Sequence, residues 1–245
     1  YDVIQFSSVI SALPNATISL LNFDMLMRGV SRVFLSDSQN VFIYPYDQEL
    51  TLMKNRDFTF TGRVHAGLFD FYAKKCLFEY DKFNINMPFI DSLRFAVLDK
   101  SKDPDMYGNY PRVTIKSVIE DLSGDILIDY PYNKSGLKSF PDYPIFNSKS
   151  ESFVYYDKNS IQRGVYKRDK FFYHLEPFTI DSLDNKSTEG ILFKGYLASA
   201  NIFPDINEPL VVRPDFSLGF VRETPPSGYP AYGGKGNYTS KIDLS

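Results

Sequence analysis

The sequence lacks several residue types on which many functional sites depend. Its 245 residues include no tryptophan, one cysteine (Cys76) and two histidines, His65 and His174. A single cysteine excludes both an internal disulfide and a zinc site built from several cysteines. Two histidines leave little basis for a histidine-rich metal centre. We therefore predict no cofactor.

The chain also lacks long apolar runs and a positive net charge. No stretch approaches the roughly 18 apolar residues that a membrane-spanning helix requires. The formal charge is −3, whereas nucleic-acid-binding domains usually carry a basic surface. No basic segment followed by an apolar core marks a signal peptide at the start. We therefore predict no transmembrane segment and no nucleic-acid partner.

Phenylalanine and tyrosine are abundant, with 22 and 18 residues, and both favour strands. From Phe58 to Leu68 the even positions are apolar or small, which is the two-residue alternation of a half-buried strand. Similar short runs, such as Phe153–Tyr156, Gly164–Tyr166 and Phe171–Leu175, continue along the chain. We predict a mainly β protein, built from antiparallel sheets or stacked β-units as in a sandwich or a solenoid, with one or two short helices.

Two segments show the spacing of helices. Within residues 16–28, Ile18, Leu21 and Met25 recur at helical intervals, Asn15 is a candidate N-cap and Gly29 a candidate stop. Within residues 113–123, the apolar residues Ile115, Val118, Ile119 and Leu122 share one helical face, and Gly124 fits a C-terminal cap. We therefore predict a helix in each segment.

Composition suggests a division of the chain near its middle. Residues 131–150 are rich in Pro, Asn, Ser and Gly, which is typical of a loop or a boundary. We predict a β-rich first half (1–130) and a β-rich second half (151–245), with a single domain as the alternative. Residues 58–87 align without gaps on 191–220, with Phe60 opposite Phe193, which indicates an internal repeat.

Catalytic and metal-binding motifs are weak. Asp99, Asp103 and Asp105 alternate in a loop, as the odd-position ligands of calcium sites do, but Pro104 stands where an EF-hand needs glycine. We therefore predict no metal site: a solvated acidic turn is the default interpretation, and these carboxylates are only weak calcium candidates. Catalytic residues remain unknown, and no combination of side chains marks an enzyme.

The aromatic side chains leave two binding hypotheses open. Tyrosine rings stack on sugar faces and their hydroxyls form hydrogen bonds, so a carbohydrate-binding or carbohydrate-active module is one alternative. Alternating Phe, Gly and Val positions are compatible with an apolar trough, so a carrier of an apolar envelope molecule such as a lipid is another.

Several strings together resemble internal segments of very large, uncharacterised cell-envelope proteins of Bacteroides-type bacteria. They are Ile128–Gly136 (IDYPYNKSG), Gly164–Tyr166 (GVY), Phe216–Phe220 (FSLGF) and Tyr229–Gly236 (YPAYGGKG). The resemblance covers roughly residues 110–245. It implies an extracytoplasmic location, in the periplasm, the outer membrane or at the cell surface, inside a long β-rich polypeptide. It implies no site residues.

The first residue is Tyr1, and the alternating pattern Lys241–Ser245 stops without a terminal motif. We therefore expect the chain to be a fragment of a larger bacterial protein. The favoured function is a non-enzymatic structural or interaction module of a large envelope protein. Its expected partners are other domains of the same chain or other envelope proteins.

Overall fold

The computed structural model describes residues 4–9, 14–159 and 161–245. Their strand pairs are antiparallel, which confirms the prediction of a mainly β fold with antiparallel sheets. Two 3-10 turns, Gln162–Gly164 and Thr188–Gly190, are the helical elements among these residues. Within the same ranges, no helix has the length and apolar character needed to cross a membrane.

The strands follow one another through the described residues. In chain order they are β1 (Gln5–Ser8), β2 (Ala16–Ile18), β3 (Met25–Met27), β4 (Val30–Ser36), β5 (Val41–Pro45), β6 (Leu50–Leu52), β7 (Phe58–Ala66), β8 (Phe69–Glu79), β9 (Asn84–Leu98), β10 (Arg112–Thr114), β11 (Ile119–Leu127), β12 (Ile145–Ser148), β13 (Ser152–Tyr155), β14 (Phe171–Leu175), β15 (Thr179–Ile180), β16 (Leu192–Phe193), β17 (Gly195–Ser199), β18 (Leu210–Val212), β19 (Leu218–Arg222), β20 (Tyr229–Ala231), β21 (Gly236–Tyr238) and β22 (Ile242–Leu244).

The chain groups into two compact units, each assembled from three segments. Unit one contains residues 1–95, 121–149 and 179–185, and unit two contains residues 96–120, 150–178 and 186–245. The predicted division into halves around residues 131–150 stays a prediction. Within that stretch, residues 131–144 are loop and Ile145–Ser148 is a strand.

Unit one has a broad antiparallel sheet. Strands β1, β4, β5, β7, β8 and β9 pair in that order, and β2, β3 and β6 continue from one end of β7. Two residues, Gly67 and Leu68, connect β7 to β8. Gly67 has a φ of 62°, a value that glycine adopts without strain and that a tight hairpin turn requires.

The core of unit one confirms the alternation predicted from Phe58 onward. The even residues of β7, from Phe58 to Ala66, are buried, and the odd residues are half-buried. Aromatic rings pair across neighbouring strands in this core. Phe58 stacks on Phe78 with ring centroids 4.7 Å apart, and Phe69 stacks on Phe95 at 5.0 Å. Such pairs stabilise a sheet beyond their buried area, which accounts for the high phenylalanine content.

Unit two contains several smaller groups of strands. Strands β13, β14 and β17 pair side by side, and β16, β18, β19 and β22 form a second sheet. Strands β20 and β21 form a short hairpin. The core of this unit includes the fully buried ring of Tyr173, which lies 6.5 Å from the ring of Phe220.

The two predicted helices are wrong, because both segments form strands. Residues 16–28 contain β2 and β3, joined by a turn in which Leu21 is 98% exposed. The apolar residues at helical spacing therefore do not form a buried face. Residues 113–123 contain the end of β10 and the first part of β11. Asp121, inside β11, has a φ of 60°, which interrupts the strand alternation. Ile119 and Leu122 are therefore both buried at a helix-like spacing of three.

One further strand prediction is wrong, and the predicted internal repeat gains no support from the structure. The predicted strand Gly164–Tyr166 is wrong, because Gly164 ends a 3-10 turn with a φ of 70° and the chain then continues as loop. The aligned segments of the predicted repeat differ in pairing. Strand β7 pairs with β8, whereas β17 pairs with β14 and β18 pairs with β16 and β19. The strand pairing gives the repeat no support.

Candidate functional site

The calcium candidates lie in the loop between β9 and β10, where neighbouring donors already occupy two of their carboxylates. Asp99 accepts hydrogen bonds from the backbone and hydroxyl of Ser101, at 3.1 and 2.5 Å. Asp105 accepts bonds from the backbone of Tyr107 and Asn109, both at 2.9 Å. The hydroxyl of Ser101 and the backbone of Asn109 lower the pKa of Asp99 and Asp105, respectively. Asp103 is exposed in the same loop.

No group of three or more His, Cys, Asp or Glu side chains is arranged to hold a metal ion within residues 4–9, 14–159 and 161–245. The calcium hypothesis therefore gains no support from the loop geometry and stays a prediction.

The cysteine and the histidines are placed by their strands. Cys76 is completely buried in β8, where burial raises the pKa of its thiol to about 12, so it is a core residue. His65 lies on the half-buried side of β7, with Nδ1 3.0 Å from a carboxylate oxygen of Asp70. His174 lies in β14, with Nε2 3.0 Å from Glu151.

Unit two contains a cavity of about 380 Å³ whose walls are mainly aromatic and aliphatic. We call it the Tyr156 cavity. Its lining residues come from the connection between β13 and β14, from the start of β14, from β17 and the turn after it, and from the last residues of the chain. They are Tyr156, Ile161, Gln162, Tyr166, Phe171, Leu197, Ser199, Ile202, Phe203, Tyr238, Lys241, Ile242, Asp243, Leu244 and Ser245.

Strand register directs these side chains to one place. In β13 the buried residues are Ser152 and Val154, and Tyr156 continues that alternation just beyond the strand. In β22 the alternation turns Ile242 and Leu244 inward, and Leu244 pairs with Phe220 of β19. The cavity therefore depends on pairings between segments that are far apart in the chain.

The aromatic rings of the Tyr156 cavity pack against one another in a defined geometry. Tyr166 stacks on Phe171 with centroids 4.1 Å apart and an interplanar angle of 22°. Phe171 also meets the ring of Tyr156 edge-on at 5.7 Å. On another wall, the rings of Phe203 and Tyr238 lie 5.6 Å apart. These mutual contacts fix the orientation of the rings before any ligand arrives.

Tyr156 is the central side chain of this region. It is 3% exposed, and it also lines an adjoining cavity of about 360 Å³ together with Lys116, Asp215 and Ser217. Its hydroxyl has no hydrogen-bond partner among the residues that the structure describes. Burial raises the pKa of this hydroxyl, and the nearby Tyr173 raises it further, so Tyr156 stays protonated at neutral pH.

The carboxylates at the two cavities are ion-paired. Asp243 lies 3.3 Å from the guanidinium of Arg213. Asp215 lies 3.0 Å from the ammonium of Lys116, and the hydroxyl of Ser217 donates to it at 2.6 Å. The Ser217 hydroxyl, assisted by Lys116, lowers the pKa of Asp215 to about 2. A carboxylate held in its ionised form is unsuited to act as a general acid at neutral pH.

Sequence reasoning raised tyrosine-based carbohydrate binding in general terms but did not identify these residues. One local signal was available, because Val154 and Tyr156 lie on the same side of the predicted strand Phe153–Tyr156. A tyrosine in such a position brings a hydroxyl into the core, where a partner is normally required.

Comparison with protein-family models, with curated proteins and with solved structures finds no match to this chain.

Proposed function

We propose that the chain is a non-enzymatic interaction module of a large bacterial cell-envelope protein, and that it binds carbohydrate in the Tyr156 cavity. The envelope assignment rests on the resemblance of four segments within residues 110–245. The same resemblance implies an extracytoplasmic location, in the periplasm, the outer membrane or at the cell surface. The expected protein partners are other domains of the same chain or other envelope proteins.

The lining of the Tyr156 cavity is the observation that supports a carbohydrate ligand. Sugar rings have apolar C–H faces that stack on aromatic rings and hydroxyl edges that need polar partners. The walls include the rings of Tyr166 and Tyr238, and Gln162, Lys241 and Asp243 supply polar groups. A volume of about 380 Å³ lies within the usual range of small-ligand pockets.

The electrostatics of the two cavities favour binding over hydrolysis. Glycoside hydrolysis uses a pair of carboxylic groups, one of which must hold a proton at working pH. Asp243 and Asp215 instead each contact a cation, and the pKa of Asp215 is lowered to about 2. These two carboxylates are therefore poor candidates for an acid–base pair.

Binding of neutral oligosaccharides tests the proposal. A glycan array followed by calorimetry with the best ligand compares the wild-type chain with Tyr166→Leu, which removes a wall ring. The matched control is Tyr107→Leu, because Tyr107 is 82% exposed and lies outside the cavity. We expect Tyr166→Leu to weaken binding about fivefold, since an aromatic contact contributes about 1 kcal/mol. An array without ligands, or equal losses in both variants, would contradict the proposal.

A carrier of an apolar molecule is the second candidate, and the aliphatic part of the same wall favours it. Ile161, Leu197 and Ile202 line the cavity, as do Ile242 and Leu244. Solvent extraction of the purified chain followed by mass spectrometry separates the two. A stoichiometric co-purified lipid that neutral oligosaccharides do not displace would establish the carrier and refute the carbohydrate proposal.

A further inference from the structure

The outward side of the unit-one sheet carries arginine and aromatic side chains on five neighbouring strands. We call it the arginine–aromatic face, and it consists of Arg32, Phe42, Tyr44, Arg63, Tyr72 and Arg94. The ladder pairs Tyr44 of β5 with Arg63 of β7, and Arg63 with Tyr72 of β8. The buried residues Ile43, Val64 and Phe71 alternate with them, so the face lies opposite the core of unit one.

Each arginine of the face lies over an aromatic ring. The guanidinium carbon of Arg63 is 4.3 Å from the ring centroid of Tyr44. The corresponding distances are 5.4 Å for Arg32 over Phe42 and 5.5 Å for Arg94 over Tyr72. These contacts restrict the arginine side chains while leaving Arg32 and Arg94 exposed. Restricted side chains lose less entropy when they bind a partner.

The charge of this face is positive although the chain as a whole carries −3. Its three arginines are accompanied by Asp70, which pairs with Arg94 in the strand ladder and lies 3.6 Å from Arg63 and 3.0 Å from His65. Charge complementarity therefore selects an anionic partner. Guanidinium groups match carboxylates well because they can donate two parallel hydrogen bonds.

The spacing of the arginines indicates what kind of anion fits. Arg32, Arg63 and Arg94 lie on β4, β7 and β9, which are alternate strands of the order β4, β5, β7, β8, β9. Strands lie about 4.8 Å apart, so the arginines recur about every 10 Å across the strands, with aromatic rings between them. Arg94 lies two residues further along β9 than Ser92, the residue that pairs with Tyr72. A row of separated cations with rings between them suits a sugar polymer whose carboxylates recur along the chain.

We propose that the arginine–aromatic face binds an anionic polysaccharide containing uronic acid residues. The arginines contact the carboxylates, and the exposed parts of Tyr44 and Tyr72 contact the sugar rings. This surface belongs to unit one and is independent of the Tyr156 cavity of unit two.

Polygalacturonate is the probe, and neutral dextran is its uncharged counterpart. The test variant is Arg32→Gln/Arg63→Gln/Arg94→Gln. The matched control, Lys100→Gln/Lys167→Gln/Lys235→Gln, removes the same charge from exposed positions outside the face. Circular dichroism and thermal midpoints verify that both variants are folded. We expect wild type and control to bind polygalacturonate alike, whereas the arginine variant binds about tenfold or more weakly.

A second variant keeps the charge and removes the rings. Tyr44→Leu/Tyr72→Leu should also weaken binding of polygalacturonate, since stacking contributes beyond charge. Equal losses in the arginine and lysine variants, or no binding of polygalacturonate at about 50 mM salt, would overturn the proposal. Tighter binding of poly-glutamate or of an oligo-dT strand than of polygalacturonate would also overturn it, in favour of an acidic protein or a nucleic acid.

Discussion

Replacing Tyr156 by phenylalanine should stabilise the ligand-free fold. The substitution removes one oxygen that is buried and has no hydrogen-bond partner within the described residues. An unsatisfied buried polar group costs about 1–3 kcal/mol. The ring of Tyr156 keeps its edge-on contact with Phe171, so packing is preserved. We therefore expect the free energy of unfolding to rise by about 1 kcal/mol or more.

Tyr173 provides a matched control in the same unit. It is also fully buried, but its hydroxyl donates a hydrogen bond to the Glu208 carbonyl at 2.7 Å. Tyr173→Phe removes this bond and leaves the carbonyl without its donor, so stability should fall by about 1–2 kcal/mol. Burial raises the pKa of both hydroxyls, so both are neutral at pH 7 and the comparison involves no change of charge.

Urea unfolding followed by far-ultraviolet circular dichroism measures the difference, since the chain has no tryptophan to report by fluorescence. With a slope of about 2 kcal/mol per molar urea, the two variants should unfold about 1 M apart or more. A loss of stability in Tyr156→Phe similar to that in Tyr173→Phe would refute the reasoning. It would show that the Tyr156 hydroxyl makes a favourable hydrogen bond in solution, for instance to an enclosed water molecule.

Three other predictions concern the core, one close backbone contact and one carboxylate. Phe60→Ala and Phe193→Ala should each lower the free energy of unfolding by about 3–5 kcal/mol, because both rings are buried; an unchanged urea midpoint would remove the residue from the core. Gly219→Ala should destabilise unit two, because an added Cβ would lie 1.9 Å from the Leu244 carbonyl oxygen, and amide exchange of β22 should accelerate. Ser217→Ala should raise the pKa of Asp215 from about 2 toward its ordinary 3.8, as followed by carboxyl NMR titration. Because the folded-state pKa of Asp215 is depressed, wild type should be more stable than Ser217→Ala above about pH 4, and this difference should disappear as the pH falls toward 2. Identical titration curves for the two proteins would contradict the assignment.

The sequence was sufficient to predict the fold class because sheet burial follows a local pattern. In β7, the alternation from Phe58 to Ala66 is visible without any knowledge of the partner strands. The same reasoning failed where a local backbone irregularity changed the periodicity. Asp121 has a positive φ within β11, so Ile119 and Leu122 are both buried at a spacing typical of a helix. A conformational irregularity at a single residue leaves no periodic signal of its own.

The two proposed binding regions differ in how far the sequence could have revealed them. The centre of the arginine–aromatic face follows from one hairpin, because the two-residue connection after Ala66 fixes the register that pairs Arg63 with Tyr72. Once that hairpin is recognised, the outward positions of β7 and β8 can be read directly.

The Tyr156 cavity, in contrast, depends on contacts between segments that are far apart in the sequence. It combines residues 161–166, the turn after β17 and the strand that begins at Ile242, and the pairing of Phe220 with Leu244 positions that strand. The residue pattern of each segment is compatible with many partner strands. Long-range strand pairing is therefore the information that sequence reasoning lacked, and the cavity should be more sensitive than the face to substitutions such as Gly219→Ala that disturb β22.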